Sequence, residues 1–91
     1  MVWVRHDLNS KQTKTKCAIF AQPTAKNITW DEIVSLLSAL GCVTRQKPGS
    51  AVTFEKGKIR LNIHRPHPEN TLQVYQIQAV RNFLFQIGEI P

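Results

Sequence analysis

The segment HRPHP, residues 64–68, brings two histidines and an arginine together with two prolines. Histidine can both accept and donate a proton near neutral pH, and arginine can hold a phosphate through two parallel hydrogen bonds. RNA cleavage without a metal requires such groups: a base for the 2′-hydroxyl, an acid for the leaving oxygen, and a cation beside the phosphate. His64 and His67 are therefore candidate catalytic residues, with Arg65 as a candidate phosphate ligand.

The same segment also has a purely structural interpretation. Prolines end a strand and restrict the backbone of the residue before them, and His67 lies between two of them. Its ring can then serve only to hydrogen-bond a backbone carbonyl. A metal site or another cofactor is not expected, because no cysteine, aspartate or third histidine is close in sequence. Cys17 and Cys42 also lack the spacing of metal ligands, and we expect both to be thiols.

Positive charge is concentrated around the candidate site. The 91-residue chain carries a formal charge of +6, and half of its lysines and arginines lie between positions 45 and 65. The overall charge favours an anionic partner, which can be RNA, DNA, an acidic protein or a membrane surface. The local field can bind phosphates through charge neutralisation and counterion release. The alternative is a solvated strand face, since outward lysines and arginines also protect sheet edges. The candidate RNA-binding residues are Arg45, Lys47, Lys56, Lys58, Arg60 and Arg65.

The first half of the chain predicts helices. Residues 1–10 are typical of a flexible tail or one short strand, and residues 11–22 can form a helix that ends before Pro23. A helix from Trp30 to Leu40 is the clearest element, with Thr29 and Glu32 as a capping box and Gly41 as its C-terminal cap. Its expected apolar stripe is Trp30, Ile33, Val34, Leu37 and Leu40.

The second half predicts a meander followed by a helix. Apolar residues alternate over 51–56 and 58–64, and a shorter strand is expected over 42–47. The pair Lys56-Gly57 is a plausible hairpin turn, with Glu55, Lys58, Arg60 and His64 directed outward. Asn70 or Thr71 can cap a last helix, from Leu72 to Ile87. Its expected stripe is Val74, Ile77, Val80, Leu84 and Ile87.

These elements indicate one α+β domain over residues 1–91, with the order α(α)βββα. Helices can cover the dry face of a three-stranded antiparallel sheet and leave its other face to solvent or a partner. No apolar run approaches the roughly 20 residues of a membrane helix. The N-terminus lacks the pattern of a signal peptide. We therefore expect a cytoplasmic protein with no membrane partner.

Four stretches in this order resemble the HicA toxins of bacterial type II toxin–antitoxin systems. They are IFAQPTAKNITWDEIVSLLSALG, GSAVTF, HRPHP and YQIQAVRNFLFQIG, within residues 14–91. The resemblance implies a fold like a double-stranded-RNA-binding domain, with the helices on one face of the sheet. It implies an endoribonuclease that cleaves mRNA (an mRNA interferase). It also implies a HicB-type antitoxin that neutralises the toxin by covering its active surface.

One position departs from the family pattern. HicA toxins usually carry a catalytic histidine directly after the Gly-Ser pair, and this chain has Ala51 there. The resemblance still places Ser50, as an RNA-binding residue, and His67 at the site. Three interpretations of Ala51 remain open: a variant inactivated by substitution, a divergent enzyme in which His64 or His67 does the work, or a module that binds RNA or an antitoxin without cleaving.

Overall fold

The computed structural model describes residues 8–91, which form three helices and three strands. The strands make one antiparallel sheet in the order β1-β2-β3. Apolar side chains from one face of the sheet and from the helices share a single core. This arrangement confirms the expected α+β class. The elements are α1 (Ser10–Phe20), α2 (Trp30–Ala39), β1 (Val43–Gln46), β2 (Ala51–Lys56), β3 (Ile59–His64) and α3 (Val74–Gln86).

Helix α2 forms as the sequence predicts. The Glu32 N–H donates to Thr29 Oγ1 at 3.2 Å, and the Thr29 N–H donates to Glu32 Oε1 at 2.8 Å. Gly41 follows the helix with a φ of +88°, the left-handed conformation in which glycine is favoured. Of the expected stripe, Val34 is only half-buried, and Leu36 is fully buried in addition. The buried surface of α2 is therefore wider than a single stripe.

Helix α1 begins within the segment for which the sequence predicts a tail. Asn9 caps it by accepting the Gln12 N–H at 2.8 Å, and Ser10 is its first residue. The rest of that segment, residues 1–7, lies outside the described residues. The other end of α1 is tied to α3, because Arg81 Nε donates to Ile19 O at 2.8 Å.

Helix α3 starts later than expected. Its N-cap is Gln73, so the prediction of Asn70 or Thr71 as the cap is wrong. The reason is a short antiparallel bridge between Thr29 and Thr71 that keeps this part of the chain extended. Asn70 O accepts the Trp30 N–H at 2.8 Å, and the Leu72 N–H donates to Ile28 O at 2.9 Å.

The buried side of α3 also differs from the expected stripe. Val74 is 41% exposed, whereas Phe83 is buried and so is the polar Gln76. The later start of the helix explains the exposure of Val74, because it makes Val74 the first residue of α3 and a residue in the first turn is covered by fewer neighbouring residues. The buried residues of α3 are Gln76, Ile77, Val80, Phe83 and Leu84.

The sheet has one covered face and one open face. Val52, Phe54, Leu61 and Ile63 are buried under the helices, and the Phe54 ring lies 5.7 Å from the Trp30 ring. Successive side chains of a strand point to opposite faces, so the residues between them form the open face. The register places on it Val43 and Arg45 of β1, Ala51, Thr53 and Glu55 of β2, and Arg60, Asn62 and His64 of β3.

The hairpin between β2 and β3 is shifted by one residue from the prediction. Lys56 pairs with Ile59 as the last pair of the ladder, so the turn residues are Gly57 and Lys58. Gly57 has a φ of +61°, which suits a two-residue hairpin turn. Lys58 therefore lies in the turn and not on the outer side of a strand.

Candidate functional site

His64 lies directly opposite Ala51 in the β2–β3 register. The Arg65 N–H donates to Ser50 O at 2.8 Å, so residues 50 and 65 are a hydrogen-bonded pair and Ala51 and His64 are the next, non-hydrogen-bonded pair. Such pairs bring their Cβ atoms to about 4.5–5.5 Å of each other on the same face. The His64 imidazole is thus one strand away from the position at which the family resemblance expects a histidine.

The His64 ring and its backbone are both held. Ser50 Oγ lies 3.2 Å from His64 Nδ1, and which of the two donates depends on the tautomer of the ring. Gln76 Nε2 donates to His64 O at 2.9 Å, while Gln76 Oε1 accepts the Gln73 N–H at 2.9 Å. The buried Gln76 amide therefore connects the end of β3 to the first turn of α3.

A lysine completes the row across the sheet. The Lys47 N–H donates to Ala51 O at 3.0 Å, which continues the β1–β2 register beyond the end of β1. Lys47, Ala51 and His64 therefore form one row on the open face. Both outer members are exposed, and the side chain between them is only the methyl group of Ala51.

The HRPHP segment separates two clefts at this end of the sheet. One cleft, of 510 Å³, is lined by His64, Arg65 and His67 and extends to Tyr75 on α3. The other, of 460 Å³, lies on the Ser50 side of the segment and shares Arg65 and His67. Glu69 lines both clefts, so each contains one carboxylate among its basic groups. The structure thus places Arg65 and His67 in both clefts, with His64 in the first cleft and Ser50 in the second.

The centre of the open face is partly neutralised. Glu55 Oε1 lies 2.9 Å from Arg45 Nε and 3.5 Å from Arg60 Nε. The arginine side chains are 58% and 67% exposed, so both remain accessible to a polyanion. Thr53, in the middle of this face, is buried and donates through Oγ1 to Asn62 Oδ1 at 2.7 Å. The two arginines therefore share the carboxylate of Glu55, next to the hydrogen-bonded pair of Thr53 and Asn62.

Lys56 and Lys58 lie at the opposite end of the sheet. Lys56 is five residues from Ala51 along β2, about 17 Å in an extended strand. It alternates with the open-face residues, so it belongs to the covered side. Burial raises the pKa of the Cys42 thiol there, and the positive charge of Lys56 partly offsets this effect. The structure does not bring these two lysines together with the histidines.

Two general features of residues 8–91 bear on the chemistry. No cluster of three histidine, cysteine, aspartate or glutamate side chains in this part of the chain could hold a metal ion. Within the same residues, every helix is too short or too polar to cross a bilayer.

The HicA toxin family of bacterial toxin–antitoxin systems matches residues 30–88 of this sequence, well over half of the chain. The chain belongs to the HicA toxin family. The matched region runs from the first residue of α2 to the glycine after α3, so it contains the whole sheet and both clefts, with α1 ahead of it. No curated protein and no solved structure matches the chain. The family resemblance inferred from the sequence is thereby confirmed.

Sequence reasoning missed Gln76, Tyr75 and Glu69 as parts of the site. A signal for Gln76 was present, because it precedes the buried residues Val80 and Phe83 by four and seven positions, the spacing of one helical face. A polar residue in such a stripe indicates a buried hydrogen bond. No comparable signal marks Tyr75 or Glu69, since their position depends on how the loop meets the helix.

Proposed function

We propose that this HicA-family protein is an endoribonuclease that binds RNA at the Ala51 end of the open sheet face. His64 serves as the general base in place of the histidine that the family carries at position 51. The observation that supports this most is the direct pairing of His64 with Ala51, together with the 3.2 Å contact between Ser50 Oγ and His64 Nδ1.

The reaction needs two proton transfers and no metal. Nε2 of His64 takes the proton of a 2′-hydroxyl, and the 2′ oxygen attacks the adjacent phosphorus. The bond from phosphorus to the 5′ oxygen breaks, and protonated His67 gives that oxygen its proton. The products are a 2′,3′-cyclic phosphate and a 5′-hydroxyl end. Arg65 and Lys47 stabilise the extra negative charge on the phosphoryl oxygens in the transition state.

Ser50 has a defined part in this mechanism. Nε2 can accept a proton only in the tautomer that carries hydrogen on Nδ1, and that hydrogen must then be donated to Ser50 Oγ. Ser50 is thus a positioning residue: it selects the tautomer and orients the ring. The arrangement also explains why a serine is suitable beside His64, because its hydroxyl can accept as well as donate.

The partner side of the proposal follows from charge. The exposed side chains of Arg45 and Arg60 give the open face a positive character despite Glu55, and exposed Arg65 adds positive charge at its Ala51 end. An acidic protein that covers this face would exclude RNA by occupying the same surface. We therefore assign neutralisation to a HicB-type antitoxin, with both proteins and the target mRNA in the cytoplasm.

The test is a cleavage assay with end-labelled RNA in the presence of EDTA. We expect wild-type protein to produce fragments with 2′,3′-cyclic phosphate ends, and His64→Gln to cleave about 100-fold or more slowly, as for loss of a general base. The matched control is Asn62→Gln, a similar change two residues away on the same face. Equal cleavage by wild type and His64→Gln contradicts the proposal and indicates a contaminating nuclease.

Ala51 favours a second candidate function, a non-catalytic module that binds RNA or an antitoxin. A methyl group cannot transfer a proton, and the family position is directly in the row between Lys47 and His64. In that case wild-type protein binds RNA without cleaving it, and Ala51→His gains cleavage. Under the first proposal the wild type already cleaves.

A further inference from the structure

An aromatic side chain lines the larger of the two clefts. Tyr75 is the second residue of α3 and is 69% exposed. It lines the 510 Å³ cleft together with His64, Arg65 and His67. The open face of the sheet offers no aromatic side chain among its residues. A surface for base stacking is therefore found beside the sheet and not on it.

The position of Tyr75 relative to His64 is fixed by its neighbour. Gln76 donates to His64 O at 2.9 Å and is itself buried, so the first turn of α3 is held against the end of β3. Tyr75 directly precedes Gln76 in the helix, and Gln76 contacts the His64 backbone. A base that stacks on the Tyr75 ring therefore lies near the end of β3. Arg65, the next residue after His64, extends into the same cleft.

The cleft has the size and the chemistry of a nucleotide subsite. Pockets for small molecules span about 300–1,000 Å³, and this one lies within that range. Aromatic rings stack on any base, and an arginine can clamp a phosphate with two hydrogen bonds. Both groups line this cleft, together with His64 and His67.

We propose that this cleft binds one unpaired nucleotide of the RNA next to the phosphate that is cleaved, with its base stacked on Tyr75 and its phosphate held by Arg65. This inference rests on the proposed function. It specifies single-stranded RNA, because the bases of a duplex are already stacked on each other and present no free face to a side chain. Tyr75 thus makes the protein prefer single-stranded to double-stranded RNA, although the fold resembles a double-stranded-RNA-binding domain.

A protein occupant fits the cleft less well. Glu69 is the only carboxylate among the residues that line it, so the charge does not exclude an acidic segment. His64, however, lines this cleft and also ends the row of Lys47, Ala51 and His64 on the open face, and the scissile phosphate must lie beside it for His64 to act. RNA carries a phosphate on every nucleotide, so one strand can fill the cleft and place its scissile phosphate beside His64 at the same time. This favours RNA as the occupant.

The experiment measures binding with fluorescein-labelled 10-nucleotide 2′-O-methyl RNA, which has no 2′-hydroxyl and cannot be cleaved. The same strand is used alone and annealed to its complement. Wild type is compared with Tyr75→Ala and Tyr75→Phe by fluorescence anisotropy at fixed salt. Two control variants lie on the same helix: Val74→Ala, the exposed neighbour outside the cleft, and Phe85→Ala, an aromatic that is 51% exposed and about 15 Å further along.

We expect Tyr75→Ala to weaken single-strand binding by about 5-fold to 150-fold, the range for loss of one base–aromatic stack. Tyr75→Phe should bind like wild type, and duplex binding should change by less than about twofold. Equal losses for single strand and duplex, or equal losses in the two control variants, overturn the inference. An unchanged affinity of Tyr75→Ala for single strands also overturns it but leaves the proposed function standing. Absence of any RNA binding by wild type overturns both.

Discussion

The two ends of the sheet carry basic residues in similar number but differ in what surrounds these residues. At the Ala51 end, Ser50, His64 and Arg65 line two adjoining clefts, and hydrogen bonds with one another and from α3 hold them in place. At the hairpin end, Lys56 belongs to the covered side and Lys58 lies in the turn. A concentration of charge in the sequence is therefore not the same as a concentration in space.

The difference arises from the two connections. A two-residue hairpin leaves no space for side chains to converge, because the strands are joined directly. The exit through HRPHP leads the chain past the start of α3, and this creates a cleft on each side of the segment. Only the second kind of connection can build a site that surrounds a ligand.

Among the substitutions that test the difference between the two ends, replacement of Gln76 by leucine should have the largest effect. The substitution leaves His64 O and the Gln73 N–H without their partner, and we expect a loss of about 1–3 kcal/mol in the free energy of unfolding. Urea denaturation measures it. The control is Gln78→Leu, an exposed position on the same helix, which should stay within about 0.5 kcal/mol of wild type. Equal losses in the two variants would mean that the Gln76 amide does not fasten this end of the sheet.

Arg65→Ala and Lys58→Ala compare the two ends directly in RNA binding. Each loses one cation, but only Arg65 lines the clefts. We expect Arg65→Ala to lower the affinity for single-stranded RNA about fivefold at 0.1 M salt and to reduce the salt slope by about 0.7, as for one phosphate contact. Lys58→Ala should leave the slope nearly unchanged. A larger effect of Lys58 would place the RNA at the hairpin end.

Glu55→Gln should produce a smaller change in the opposite direction. Without its charge, Arg45 and Arg60 are available to phosphates, and we expect RNA affinity to rise about twofold, with stability changed by less than about 1 kcal/mol. Glu89→Gln is the control, since it alters the net charge equally but removes an ion pair with Lys16 instead. If both variants gain the same affinity, net charge alone explains the result, and the arginines of the open face make no specific contribution to RNA binding.

Local patterns in the sequence were sufficient for most of the fold. The capping box of Thr29 and Glu32 and the alternation in β2 and β3 depend only on near neighbours, and these elements form within one residue of their predicted bounds. The start of α3 could not be predicted in this way. It depends on the bridge between Thr29 and Thr71, residues that are far apart in the chain.

The candidate site was predictable in its residue types but not in its arrangement. The types and spacing in HRPHP identified His64, Arg65 and His67 as residues of interest. The pairing of His64 with Ala51 follows from a register that depends on the true position of the turn at Gly57 and Lys58. Tyr75 enters through tertiary packing, which a single sequence without related sequences does not reveal.

The loop that carries His67 is clamped on both sides. The Arg65 N–H bond to Ser50 O fixes its start, and the Asn70 O bond from the Trp30 N–H fixes its end. Four residues separate these bonds, and two of them are prolines with restricted φ. An incoming ligand therefore meets a preorganised loop, and association requires little loss of conformational entropy from this segment. Substitution of Pro66 or Pro68 by glycine would increase the conformational entropy of the free loop. It would leave every charged side chain that contacts the ligand in place.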